Sequence, residues 1–394
     1  MSERRRDLFV ALALLALGLV LMLPHALSSV EWTPDGLFYE AQKRELQGES
    51  PAAARESVFE SGLAADLKRG EQELPPRLRG VDNPEWVEYS SGFYRRRWTV
   101  PAAAAAIDPI AGDRSLELIS LLGFALLPAV VYLFLRRRFA PGPSAASSAF
   151  CALLPPFFML PPHPGTDSWG LVLLVVALIC ALQVRDRGPR WLPLWIAVVL
   201  VLSFTRDATV VVVAAVALLA VRERSGRMLA ATATGILTSL PAPLIFAVPV
   251  RDNLAYVLND YRIPADTGWG SIAAEYPERL WLTVRSDLGY PLETALPPLT
   301  LAMGAIVLVG LVLLFISLRR GGGPVETLAA GSAAGAALTI LLSVNYTELR
   351  LELVFLPAVA VGLALLAERW LPALADAAPP PRTASTSTPA GIRS

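Results

Sequence analysis

The stretch SLELISLLGFALLPAVVYLFLRRR, residues 115–138, decides the fold: an apolar run with one acid near its start ends abruptly in three arginines. As a helix, 115–135 rises about 32 Å at 1.5 Å per residue, which matches a hydrocarbon layer of about 30 Å. The same pattern recurs on both sides of it. Apolar runs at 8–27, 144–160, 168–184, 191–205, 208–221, 228–249, 295–318, 326–344 and 351–371 bring the total to about ten expected transmembrane helices. The fold class is therefore read as an all-α polytopic membrane protein. Composition agrees, with 54% apolar and 17% charged residues against about 45–50% and 25% in soluble domains. A soluble enzyme is excluded.

The arginine clusters at 4–6, 136–138, 185–190, 222–227 and 319–320 follow every second run. Placing them all inside satisfies the positive-inside rule and puts both termini in the cytoplasm. The expected location is an inner or plasma membrane, with 1–376 as one transmembrane unit. Residues 377–394, rich in Pro, Ala, Ser and Thr, are expected to be a disordered cytoplasmic tail. The first run also has the three regions of a signal peptide, but nine further runs follow and need no leader. Formal net charge is zero, so no global basic field points to nucleic acid. Cys151 and Cys180 lie in separate runs, which leaves neither a disulfide framework nor a cysteine zinc site.

Thr205-Arg206-Asp207 interrupts 191–221. A single pass would bury two charges and put Arg222, Arg224 and Arg227 outside, so two short helices meeting near the outer surface are expected, with a recessed cavity there.

Two long external loops remain, 30–114 and 250–294, and a short one near 345–350. The first carries 15 acidic and 11 basic residues. Leu37, Phe38, Ala41 and Leu46 beside Glu40, Lys43, Arg44 and Glu45 suggest an interfacial helix, and 101–107 a second, with Pro at its first turn. Asp35 stands just past the first span, where a lipid-borne head group is presented; Pro34 and Asp35 equally suit the start of a helix. Asp167 opens a span after the Pro-rich turn at 161–165 and is also a natural helix cap. His163 and Asp167 are too few for a metal site. Arg206 and Arg350 are external arginines whose planar forks match phosphate oxygens, or which pair with Asp207 and Glu348. Arg95 to Arg97 are assigned to a solvated face, because long loops tolerate charge. Tyr256, Tyr261, Trp269, Tyr276, Trp281 and Tyr290 read as an interfacial aromatic belt, with sugar stacking as the alternative.

Together these features resemble the GT-C superfamily of membrane glycosyltransferases. The resemblance lies in Asp35 followed by Leu-Phe-Tyr-Glu-Ala; in Phe93-Tyr-Arg-Arg-Arg97-Trp-Thr-Val-Pro101 leading into an Ala-rich helix; in Thr166-Asp167; in Arg206 ending a short span; and in Glu348-Leu-Arg350 with Pro357. It covers most of 1–371. It implies transfer of a hexosyl or pentosyl group from a polyprenyl-phosphate carrier to a glycan, lipid or protein acceptor at the external face. Asp35 would be the general base, Tyr39, Asp167, Arg206, Glu348 and Arg350 would contact substrate, and Arg206 and Arg350 would hold the leaving phosphate. The chain lacks a paired Asp-Asp or Asp-Glu beside Asp35 and an Asp-x-Asp in the second external turn, so a divalent metal has no clear ligand set. A carrier or flippase for a lipid-linked substrate is the rival expectation, and a structural membrane subunit a further one.

Overall fold

A computed structural model describes residues 2–72, 80–154, 163–246, 249–293, 297–343 and 352–376. The regular secondary structure of these residues is all helix, with no strand among them. Seven helices among them are long and apolar enough to cross a membrane. Large apolar side chains face outward on two of these, among them Phe9 and Val20 on α1 (Glu3–Leu27) and Leu308 and Phe315 on α16 (Pro297–Arg319). Such surfaces are costly in water and neutral in lipid. The chain is a multi-pass helical membrane protein.

Between α1 and the expected second span lie α2 (Pro34–Leu46), α3 (Pro51–Phe59), α4 (Ala65–Glu71), α5 (Pro84–Tyr94) and α6 (Thr99–Ala111). Their starts follow from the sequence. Thr33, Ser50 and Asn83 cap α2, α3 and α5 with side-chain oxygens, and each is followed by proline at the first helical position, where the missing N–H costs nothing. These helices form a cap with its own core. Phe38 packs 5.0 Å from Phe59 and stacks on Tyr94 at 4.5 Å, beside Leu37, Val58 and Val87.

The expectation of an interfacial α2 is corrected by its burial. Leu37 and Phe38 are inside, but so are Glu40 and Lys43. The ammonium of Lys43 pairs with Glu40 at 2.9 Å and Asp108 at 2.8 Å, and donates to Ser115. Buried charges persist only when paired and hydrogen-bonded. Here the pairing fastens α2 to α6 and to the start of α7 (Ser115–Leu135). The apolar run from Thr99 to Leu135 is broken at Gly112, whose φ of 58° turns α6 back over α7.

The remaining helices are α8 (Pro141–Ala152), α9 (Asp167–Arg187), α10 (Leu192–Ser203), α11 (Thr209–Glu223), α12 (Gly226–Ser239), α13 (Pro241–Ile245), α14 (Val250–Leu258), α15 (Trp269–Glu293), α17 (Pro324–Ser343) and α18 (Leu356–Asp376). Of the ten expected spans, 144–160 is described only in part, by α8. The two halves of 191–221 are separate helices of 12 and 15 residues, rising only about 18 and 22 Å. The break over 204–208 is as expected. α11 packs against α17 through Gly331 and Gly335, where an added Cβ would stand 2.6 Å from the Cα atoms of Ala215 and Val211. This Gly-x-x-x-Gly seam lets two backbones approach closely.

The polar contacts divide between two ends. At one, Arg136 meets Asp7, Arg185 meets Glu223, Arg138 meets Glu326 and Arg222 meets Thr327. At the other, the cap meets the start of α9 and the turn between α10 and α11. Between them runs an apolar core around Leu174, Leu178, Trp195, Val212, Ala215 and Leu328. Residues 377–394 lie outside the described residues.

Candidate functional site

Where the cap meets the transmembrane helices, polar side chains from four chain segments close into a ring. Asp35 is the second residue of α2, Thr33 is its cap, and the hydroxyl of Tyr94 donates to Asp35 Oδ1 at 2.6 Å. Tyr94 is fixed by its stack on Phe38 and its edge contact with Tyr39. Burial first, and then the negative charge of Asp35, push the Tyr94 phenol well above its ordinary range. It keeps its proton and stays a donor to the carboxylate.

One turn further along α2, Tyr39 is fully buried, which brings its hydroxyl 3.4 Å from Thr166 Oγ1 and 3.1 Å from Nη1 of Arg97. Thr166 precedes α9, and Asp167 at the start of that helix pairs with Arg206 at 2.7 Å. The aliphatic stem of Arg206 lies on Gly170, where a Cβ would be 2.8 Å from it. Asp207 accepts from Arg96 at 2.6 Å and Arg97 at 2.9 Å. Burial acts to raise the Asp207 carboxyl, but the charges of Arg96 and Arg97 outweigh it and hold it well below the carboxylate range. Thr99 and Thr205 share a hydrogen bond at 2.6 Å, clamping α6 to the same turn.

The expectation that Arg95 to Arg97 form a solvated face is therefore corrected for Arg96 and Arg97. Their side chains are 25% and 17% exposed and belong to the ring, because Asp207 offers them a carboxylate. The alternative pairing of Arg206 with Asp207 is replaced by pairing with Asp167. Three guanidiniums meet two carboxylates in this ring, and Asp35, whose charge also acts on Arg97, is the third carboxylate, so the formal charges of the site balance. The Nε atoms of Arg96 and Arg97 are buried with no hydrogen-bond acceptor among the described residues.

Asp35, Tyr39, Asp167 and Arg206 are thus brought together. Glu348 and Arg350 lie outside the described residues. Tyr94, Arg96, Arg97 and Asp207 complete the site; the first three lie in the 93–101 stretch that carries part of the resemblance, where no substrate role was assigned to them. His163 rests against the carbonyl of Glu31 and shares with Asp167 a cavity of about 50 Å³, large enough for water and too small for a sugar. No group of three metal-ligating side chains occurs among the described residues. Of the second-loop aromatics, Tyr256 does not join a belt: it is buried, stacks on Phe93 at 4.5 Å and bonds Ser90 at 2.8 Å. Trp269 and Trp281 are exposed. In comparisons with known proteins, the chain matches no family model, no curated protein and no solved structure.

Proposed function

We propose that the chain is a membrane glycosyltransferase of GT-C type, moving a sugar from a polyprenyl-phosphate carrier to an acceptor hydroxyl at the external face. The observation that carries this reading is the juxtaposition of the Asp35–Tyr94 pair with an arginine cluster whose buried Arg96 and Arg97 Nε donors have no acceptor among the described residues. A buried unsatisfied donor costs about 1–3 kcal/mol, and phosphate oxygens would relieve that cost by charge-assisted bonds.

In the proposed step the acceptor oxygen attacks the anomeric carbon while its proton passes to Asp35. The bond from that carbon to the phosphate oxygen breaks, and polyprenyl phosphate leaves with the electron pair. Charge grows on the phosphate oxygens, where Arg96, Arg97 and Arg206 supply preorganised donors. Asp167 and Asp207 position those arginines rather than react. If the arginine ends of α10 and α11 lie at the inner surface, these short helices would leave their turn below the outer membrane surface, within reach of a lipid-borne phosphate.

The test is to reconstitute the purified protein in liposomes with a polyprenyl-phosphate sugar and an acceptor-containing membrane extract. Release of polyprenyl phosphate, lost in Asp35→Asn, is the expected result. Movement of intact donor between leaflets without release would favour the flippase.

A further inference from the structure

The arginine end of the molecule holds a second charged site, far from Asp35 and independent of the transferase reading. After α16, glycines at 321–323 turn the chain into α17, whose first turn carries Glu326. This side chain is buried. Its Oε1 receives Arg138 at 3.0 Å, while Oε2 is buried with no donor among the described residues. A cavity of about 500 Å³ opens beside it between α16, α17 and α18, bounded by Arg138, Arg320 and Arg369 and walled by Ile316 and Leu365. Arg320 and Arg369 are exposed and make no ion pair among the described residues.

Three features set the ligand. Arg138, Arg320 and Arg369 face two carboxylates, Glu326 and Glu368, both on Arg138, and the positive charge left over calls for an anion. The orphaned Oε2 of Glu326 calls for a hydrogen-bond donor on the same ligand. The apolar wall, continuous with the outward faces of α16 and α18, calls for a hydrocarbon chain. Inorganic phosphate lacks the hydrocarbon chain, and phosphatidylcholine lacks both net charge and donor. We propose that this cavity binds the head group of phosphatidylglycerol from the leaflet at the arginine end. Its phosphodiester would lie between Arg320 and Arg369, a glycerol hydroxyl would donate to Glu326, and an acyl chain would run along Ile316 and Leu365.

The experiment is native mass spectrometry of the full chain in detergent, mixed with equal amounts of dioleoyl phosphatidylglycerol, phosphatidylmethanol and phosphatidylcholine. One phosphatidylglycerol should be retained in preference to phosphatidylcholine by about tenfold or more, and in preference to phosphatidylmethanol, which carries the same charge without a hydroxyl. The double variant Arg320→Ala/Arg369→Ala, in exposed positions that spare folding, should lose that preference. Equal retention of phosphatidylmethanol would overturn the role of Glu326, and equal retention of phosphatidylcholine the whole site. An unchanged preference in the double variant would place the lipid elsewhere. Displacement by free glycerol 3-phosphate at equal concentration would make this a soluble-phosphate site and overturn the lipid assignment.

Discussion

Tyr94 joins Asp35 through its hydroxyl and Phe38 through its ring, so the two roles separate by mutation. Tyr94→Phe keeps the stack and removes the donor; transfer should fall about tenfold, with melting in detergent little changed. Asp35→Asn keeps size but removes the basic oxygen, and turnover should fall by about 10² or more; normal turnover in a well-folded variant would reduce Asp35 to a helix-start residue. Asp207 makes a pH prediction. Its folded carboxyl lies well below the ordinary 3.8, because the charges of Arg96 and Arg97 outweigh burial. The stability it contributes is therefore fully present above the unfolded value and lost as pH falls through the lower folded one. The gap in melting temperature between wild type and Asp207→Asn should stay constant from neutral pH down to about 4 and close only at more acid pH. A gap that closes between neutral pH and 5 would mean that the arginines do not hold this carboxylate.

At the scale of elements, two close approaches decide where helices sit. Gly170 on α9 lies under the stem of Arg206, and Gly170→Val would push that side chain off Asp167. Transfer should drop as in Arg206→Ala while the helical content by circular dichroism is retained; unchanged transfer would remove the Asp167–Arg206 pair from the site. Gly335 on α17 meets the backbone of α11. Gly335→Leu has no room, so this seam should open and the protein melt well below wild type, with Gly335→Ala milder because less must be displaced. The short hairpin of α10 and α11 is held at its tip by contacts with the cap, Thr205 to Thr99 and Asp207 to Arg96 and Arg97. Cap and membrane helices thus form the site jointly.

For the whole molecule, the convergence of arginine-rich helix ends supports an orientation with that end in the cytoplasm. Reporters at Arg137, Gly188, Gly226 and Gly322 should then report cytoplasmic, and those at Gly70 and Gly268 external. An external reporter at Gly226 would make 191–221 a single pass, in conflict with α11 ending beside α9 at the Arg185–Glu223 pair.

Hydropathy and the placement of arginine determined that this chain is helical and multi-pass, because a hydrocarbon layer imposes length and backbone self-satisfaction on any segment that crosses it. Local chemistry likewise made the start of α2 legible at Pro34 and Asp35; the starts of α3 and α5, capped by Ser50 and Asn83 within their own turns, were not read from the sequence. Asp35, Asp167 and Arg206 stood out as polar groups near expected span ends, and Tyr39 was named only through the resemblance. What tertiary structure alone decided was partnership. Lys43 reads as the polar face of an amphipathic helix until Asp108, 65 residues away, is beside it, and Arg97 reads as solvated until Asp207, 110 residues away, accepts from it. An ion pair between distant segments leaves no periodicity in sequence, because its energy depends on distance and burial in space.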